Sequence, residues 1–307
     1  MRYCAAFIAA LVLAGRPAAA QDAPLPSSTL DVRDGRGNWW PLWSSATAPA
    51  VWRSAPLAES MAWKKGASGV EWGELQLKGS GEAWRTRLVV ARVDLARVRL
   101  ALDTAFTPKR EAAWTLARAP KPAVLAINAG QFQATIPWGW VALNGRRWLP
   151  PQYGPLSAAL VQDSSGTLRW IRGENVARVA AEPGVSWAFQ SYPAVLAADS
   201  VLAPLRVSGA GVDVGHRDAR AGICLTRDDK LLVAITRFDV AGSALHFVPF
   251  GLTVPEMAAV LGSLGCRDAM LLDGGISARL RVRDSSGIAH DWEGLRSVPL
   301  GLIALPR

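Results

Sequence analysis

From Val70 onward the chain alternates apolar and polar positions with a period of two, first over Glu71-Trp72-Gly73-Glu74-Leu75-Gln76-Leu77, then over Trp84 to Val93 and Val98 to Leu102. Successive side chains of a strand point to opposite faces, so this pattern predicts antiparallel strands with one face buried. Ala123-Val124-Leu125-Ala126-Ile127 is apolar at every position, which is expected of a central strand covered on both faces. Further strands are expected at Trp140 to Leu143, Ala158 to Gln162, Leu168 to Ile171, Gly222 to Thr226, Leu231 to Thr236, Ala269 to Leu272 and Leu300 to Ala304. Lys109 to Arg118 is a short helix candidate. One stronger helix opens at Thr253, with Pro255 in its first turn and Glu256 placed to close a capping box, and runs to Leu264 before Gly265 ends it. The sum is an α+β fold with a mixed, mainly antiparallel β-sheet core and few flanking helices.

The chain ahead of this pattern reads differently. Met1-Arg2-Tyr3 gives a basic start, Cys4 to Gly15 is apolar, and Ala18 and Ala20 are small, which together predict a secretory signal peptide cleaved after Ala20. Its apolar part is shorter than the ~20 residues a membrane span needs. No later segment is long and apolar enough to anchor the chain, so a periplasmic or secreted protein without a transmembrane anchor is expected. Residues 21–68 lack periodicity and are rich in Pro, Ser, Ala and Trp, with Trp39, Trp40, Trp43, Trp52 and Trp63. A loosely structured extension is expected there. Its tryptophans either pin it to the core, the favoured reading because large aromatics dominate packing, or stack on sugar rings. Residues 69–307 show no repeat or linker and are read as one domain.

Charge narrows the partners. The whole chain carries +9, and loss of Arg2 and Arg16 with the signal leaves +7. A basic balance draws anionic ligands over long range. The charges are scattered, however, with no basic run interleaved with aromatics and no zinc-finger spacing, which argues against nucleic acid. An anionic small ligand or an anionic envelope polysaccharide fits better. Once Cys4 leaves with the signal, Cys224 and Cys266 remain, either as a disulfide or as two buried thiols.

Three places set polar and glycine residues at the end of an apolar strand. They are Ile127-Asn128-Ala129-Gly130-Gln131-Phe132, His216-Arg217-Asp218-Ala219-Arg220-Ala221-Gly222-Ile223, and Leu271-Leu272-Asp273-Gly274-Gly275-Ile276-Ser277. Asp273 is either an acid or base at a strand end or the acceptor of its own downstream amides in a turn. Arg220 is either a phosphate clamp, for which its planar donor fork is well shaped, or the partner of a nearby carboxylate. Asn128 orients a substrate hydroxyl or caps its strand. There is no Gly-x-Ser-x-Gly elbow, and only His216, His246 and His290 are available as a serine hydrolase's base. His216 either lines a pocket beside Arg220 or is a loop residue. No His-rich ligand cluster supports a metallo-phosphodiesterase built on Asp273, no cofactor is implied, and the metal question stays open.

In their order along the chain these stretches resemble the phosphodiester glycosidase family, whose domain occurs in the lysosomal enzyme that uncovers mannose 6-phosphate by removing N-acetylglucosamine. Ile127 to Phe132 is similar to the family's Ile-Asn-Gly-Gly-Phe-Phe stretch, Gln190-Ser191-Tyr192-Pro193 to its Gly-Pro stretch, and Arg220-Ala221-Gly222-Ile223-Cys224 to its Arg-Thr-Ala-Ile-Gly stretch. Leu252 to Glu256 and Leu272 to Ser277 match its Leu-Thr-x-x-Glu and Leu-Asp-Gly-Gly-Gly-Ser. The chain departs at Ala129, Tyr192 and Ile276, each in place of a glycine, and at Ala221 in place of a threonine. The resemblance implies an exported hydrolase that breaks the bond between a sugar's anomeric carbon and a phosphodiester, with a sugar-phosphodiester or anionic polysaccharide as substrate. It implies a catalytic set of Asp273 as base or nucleophile, Arg220 with the amides around Gly274 and Gly275 as phosphate holders, and Asn128. Gly130, Phe132, Gln190, Ser191, His216, Gly274, Gly275 and Ser277 form the implied substrate-binding set. Glu256 is better explained as the helix cap. The rival reading is a non-catalytic envelope protein that binds polysaccharide through its tryptophans and has lost activity through the four departures.

Overall fold

A computed structural model describes residues 23–105, 113–240 and 248–307. The expected signal peptide, Lys109 to Glu111 and Ala112 of the short helix candidate, and His246 lie outside the described residues. The remainder of that candidate contains a single 3-10 turn, Leu116–Arg118.

The expected strands all form, and they assemble into three main sheets. The largest has ten strands. Ala194–Ala197, Cys266–Leu272, Ala221–Thr226, Leu231–Phe238, Thr86–Val93 and Val70–Gly79 lie side by side in that order, and Thr29–Arg33 and Trp39–Ser44 complete one edge. A five-stranded sheet is centred on Val185–Ser191, and another places Leu125–Asn128 between Leu280–Arg283 and Leu300–Pro306.

Period two explains how the large sheet is buried on both faces. In Leu231–Phe238, Leu231, Val233 and Ile235 face the main core shared by the three sheets, while Leu232 and Ala234 face a second core. Leu125 and Ile127 join the main core and Ala126 a smaller one behind it. Each such fully buried Leu, Ile or Val side chain contributes roughly 1.5–3 kcal/mol.

The helix Val254–Ser263 lies on the second core with every residue buried. Its capping box is formed: Thr253 Oγ1 accepts from Glu256 N–H at 3.3 Å, and Glu256 Oε2 accepts from Thr253 N–H at 2.9 Å. Cys224 and Cys266, on adjacent strands in this core, form a disulfide.

The fold differs from the sequence expectation in two respects. Every strand pair among the described residues is antiparallel, so the sheets are not mixed, and the molecule is richer in strand than a balanced α+β fold. The segment expected to be loosely structured supplies Thr29–Arg33, which pairs with Val70–Gly79, and the edge strand Trp39–Ser44. Its Trp43 and Trp52 are buried in the second core, with Trp40 and Trp63 packed against it, whereas Trp39 is 48% exposed. The packing reading therefore holds for four of the five.

Candidate active site

The Cys266–Leu272 strand ends beside the start of the Ala221–Thr226 strand, since Ala221 pairs with Leu272. Asp273 follows immediately. Its N–H donates to the Gly130 carbonyl at 2.9 Å, and its carbonyl accepts from Asn128 Nδ2 at 2.8 Å. Asn128 Oδ1 accepts in turn from the Arg279 N–H at 3.1 Å, and Gln131 Nε2 donates to the Leu272 carbonyl at 3.1 Å. The loop after Leu125–Asn128 thus clamps the backbone that carries Asp273.

The two glycines after Asp273 bring a second loop against it. A Cβ at Gly274 would overlap the Ala219 carbonyl oxygen, and the Gly275 N–H donates to that same oxygen at 2.7 Å. A Cβ at Gly275 would lie 3.1 Å from Asp218 Oδ1 and 3.2 Å from Oδ2. The contact carries Asp218 and Arg220 to the Asp273 loop, so the three motif stretches converge at one place.

The electrostatics there are unusual. Burial pushes the Asp273 carboxyl up to about 6, against the lowering pull of the Ser277 hydrogen bond and of Arg296, and the neighbouring Asp218 adds to the rise. Burial raises the proton affinity of Asp218 as well, opposed chiefly by Arg220. Asp218 Oδ1 is buried and has no hydrogen-bond partner among the described residues. Arg220 is itself pushed below the usual guanidinium range by burial, with Asp218 opposing the shift. Its Nε donates to the Leu252 carbonyl at 2.8 Å and its Nη2 to the His216 carbonyl at 2.6 Å. Those two bonds fix the plane of the fork, and among the described residues Nη1 has no hydrogen-bond partner and is open to a ligand.

Arg220 also lines a cleft of about 540 Å³ with Gln131, Trp138, Tyr153, Tyr192 and Asp213. Asp273 and Asp218 are not in its wall; they adjoin it through Arg220 and through Gln131, which bonds the residue before Asp273. Behind the site, buried Arg279 donates to the Ser277 and Trp114 carbonyls at 3.2 and 3.0 Å and to the Arg296 carbonyl. Arg237, pushed down to about 10 by burial, donates to Ala278, Trp292 and Glu293 carbonyls. These two arginines bind the loop after Gly275 to the loop that follows Trp292.

The structure distributes the other expected residues between the frame of the site and its margin. Asn128 is 1% exposed and spends its amide on backbone. Gln190, equally buried, accepts from Trp140 and Gln152 N–H and donates to the Gln152 carbonyl, which fixes that part of the cleft wall. Ser191 donates to the Leu271 carbonyl at 2.7 Å. Ser277 is buried beside Asp273. Gly130 is in the left-handed region at φ +69° and receives the Asp273 N–H. The Arg296 guanidinium lies over the Phe132 ring, with Cζ 4.8 Å from the ring centroid. His216 is exposed and lines a separate hollow with Glu82, Arg217 and Phe250, touching the site through its carbonyl, which accepts from Arg220. The Gly275 amide is committed to Ala219, so it is not one of the phosphate donors expected around Gly274 and Gly275. The sequence pattern did not single out Asp218, Gln131, Trp138 or Tyr153, and it marked Tyr192 only as a departure from the family's glycine. Among the described residues no group of three or more His, Cys, Asp or Glu side chains could hold a metal ion.

The profile of the phosphodiester glycosidase family matches residues 121–305, a span that contains all three convergent stretches. Among solved structures the chain is similar to the catalytic domain of zebrafish N-acetylglucosamine-1-phosphodiester alpha-N-acetylglucosaminidase, auto-inhibited by its pro-peptide. The two share 14% identity at a TM-score of 0.56, over 82% of this chain and 91% of that one. A hypothetical protein from Synechocystis is similar at 15% identity and a TM-score of 0.48, over 78% of this chain and 62% of that one. No curated protein matches the chain.

Proposed function

The chain belongs to the phosphodiester glycosidase family, and from that premise we propose that it hydrolyses the bond between a sugar's anomeric carbon and a phosphodiester, with Asp273, Asp218 and Arg220 as its reacting centre. One observation carries this reading: two partly buried carboxyls with raised proton affinity adjoin an arginine that, among the described residues, keeps a donor free and faces a ligand-sized cleft.

The division of labour follows from the environments. Asp273, at about 6, is mostly ionised at neutral pH and still basic enough to take a proton from water or to attack the anomeric carbon directly. Arg220 Nη1 holds the phosphate and stabilises the negative charge that grows on it as the glycosidic bond breaks. A phosphate leaves as a weak base, so the second carboxyl of an ordinary glycosidase has little leaving-group protonation to do. Asp218, whose proton affinity burial raises against the pull of Arg220, lies beside that guanidinium and shapes the field in which it meets the phosphate. Asn128, Gln190 and Ser191 act by position, holding the Asp273 strand end and the cleft wall.

Export supports the same reading. The Met1 to Ala20 pattern is that of a secreted chain, and a disulfide between Cys224 and Cys266 belongs in an oxidising compartment. No helix among the described residues is long and apolar enough to cross a membrane. Envelope or extracellular polysaccharide linked through phosphodiesters is the substrate class that fits a basic exported protein. The test is release of free sugar from a panel of sugar phosphodiesters by the mature chain, lost in Asp273→Asn and in Arg220→Ala.

A further inference from the structure

The cleft beside Arg220 carries more aromatic surface than a phosphate site needs. Trp138 and Tyr192 stand with ring centroids 4.8 Å apart and planes tilted by 53°, and Tyr153 on the same wall is 86% exposed. Tyr192 is 46% exposed even with Trp138 against it. Aromatic rings gain most of their energy from being covered, so rings left open to solvent inside a concavity are placed for something that covers them. The polar groups in the same wall suit hydroxyls. Asp213 Oδ1 accepts from the Gly215 and His216 N–H groups at 3.1 and 3.0 Å, which fixes the carboxylate and leaves Oδ2 as an acceptor. Gln131, held through its Nε2, keeps its amide oxygen.

We propose that Trp138, Tyr153 and Tyr192 form a subsite for a neutral pyranose ring, so that the substrate is a glycan extending beyond the scissile bond and not a single sugar on a small phosphodiester. The inference rests on the glycosidase reading of the adjoining carboxyls. A pyranose presents an apolar C–H face to a ring and hydroxyls at its rim, which is what an open aromatic corner flanked by a carboxylate receives. A planar base is best held between parallel rings, and the 53° tilt provides no such slot. A further anionic group is disfavoured by the Asp213 carboxylate. Tyr192 stands at one of the chain's departures from its family's pattern, where a glycine is usual, so the subsite is a property of this chain. A glycine there would leave the Trp138 face without its neighbour.

Binding separates this inference from turnover. The full mature chain carrying Asp273→Asn is titrated calorimetrically with linear tetrasaccharides of glucose, mannose and N-acetylglucosamine, and with uridine monophosphate. The expected result is saccharide binding that Tyr192→Ala, on the same background, weakens about tenfold, with the melting temperature unchanged because Tyr192 is half exposed. Trp138→Ala weakens it in parallel, and Trp39→Ala, on an exposed tryptophan outside the cleft, does not. Absence of saccharide binding, equal binding by the Tyr192→Ala variant, dependence on Trp39, or preference for the nucleotide would each overturn the proposal. Tyr192-dependent binding in a chain that releases no sugar from any phosphodiester would instead sink the hydrolase reading and leave the subsite standing.

Discussion

A carboxyl that holds its proton more tightly in the folded chain than in the unfolded one removes stability as the pH rises. Asp273 is such a group, at about 6 when folded against an ordinary aspartate near 3.9. Between about pH 4 and 6 the folded state binds more protons than the unfolded state, so its stability falls across that window and stays reduced above it. Asp273→Asn is therefore expected to stabilise the protein at pH 7.5, by about 1–3 kcal/mol, and the gain should vanish at pH 4. Melting temperatures of the two proteins across this range check it; a constant difference would show that Asp273 does not titrate as described. Gly274 makes a second prediction at this scale. Alanine there meets the Ala219 carbonyl, which is backbone and cannot turn aside. Gly274→Ala should cost about 1–3 kcal/mol and lower kcat/KM about a hundredfold, by parting the Asp273 and Asp218 loops. The places of Asp273, just past the end of one strand, and of Arg220, just ahead of its neighbour, were legible in the sequence because each borders an apolar run. Asp218 was not, because its role depends on a glycine 57 residues later with room beside it for a carboxylate. For Asn128 and Gln190 the motif gave the place and not the direction: the sequence does not show that a side-chain amide will be spent on a neighbouring backbone.

At the scale of elements, the helix Val254–Ser263 was the clearest signal in the chain, since Thr253, Pro255 and Glu256 act locally. The structure adds that Glu256, wholly buried, also pairs with Arg217 through Nη1 at 2.6 Å and Nη2 at 2.8 Å and accepts from Ser28. One carboxylate thus caps the helix, anchors the loop that carries Asp218 and Arg220, and ties down the amino-terminal segment. Glu256→Ala leaves the largely buried Arg217 without its carboxylate, with only the Gly251 carbonyl and Ser28 Oγ to accept from it, and should destabilise by about 3–5 kcal/mol in urea unfolding. A loss below about 1 kcal/mol would mean that the pair contributes little. The strands Thr29–Arg33 and Trp39–Ser44 were hidden for a physical reason. Pro41 and a register shift after Leu30 break the alternation, and the turn between them depends on Asp34 Oδ1 accepting from the Arg36 and Asn38 N–H groups. Composition alone reads such a segment as loop.

Across the whole molecule, the sheets share one core and the helix and amino-terminal strands close a second, with the Cys224–Cys266 disulfide inside it. The bridge spans 42 residues of sequence, and restricting a loop of that length in the unfolded chain is worth about 4 kcal/mol. Reduction under mild denaturant should lower the unfolding free energy by that order, and a reduced protein as stable as the oxidised one would assign the stability to packing alone. Antiparallel pairing throughout the described residues places the candidate loops at strand ends instead of along crossover helices. That is why one end of the large sheet collects Asn128, Asp218, Arg220 and Asp273 from stretches far apart in sequence. The most direct test of the central claim is the pH dependence of kcat/KM for release of free sugar from a sugar phosphodiester, measured on the mature chain and on Asp273→Asn. A rate that rises as the pH passes about 6 and disappears in the variant is the predicted result. Equal turnover by the two proteins would contradict it.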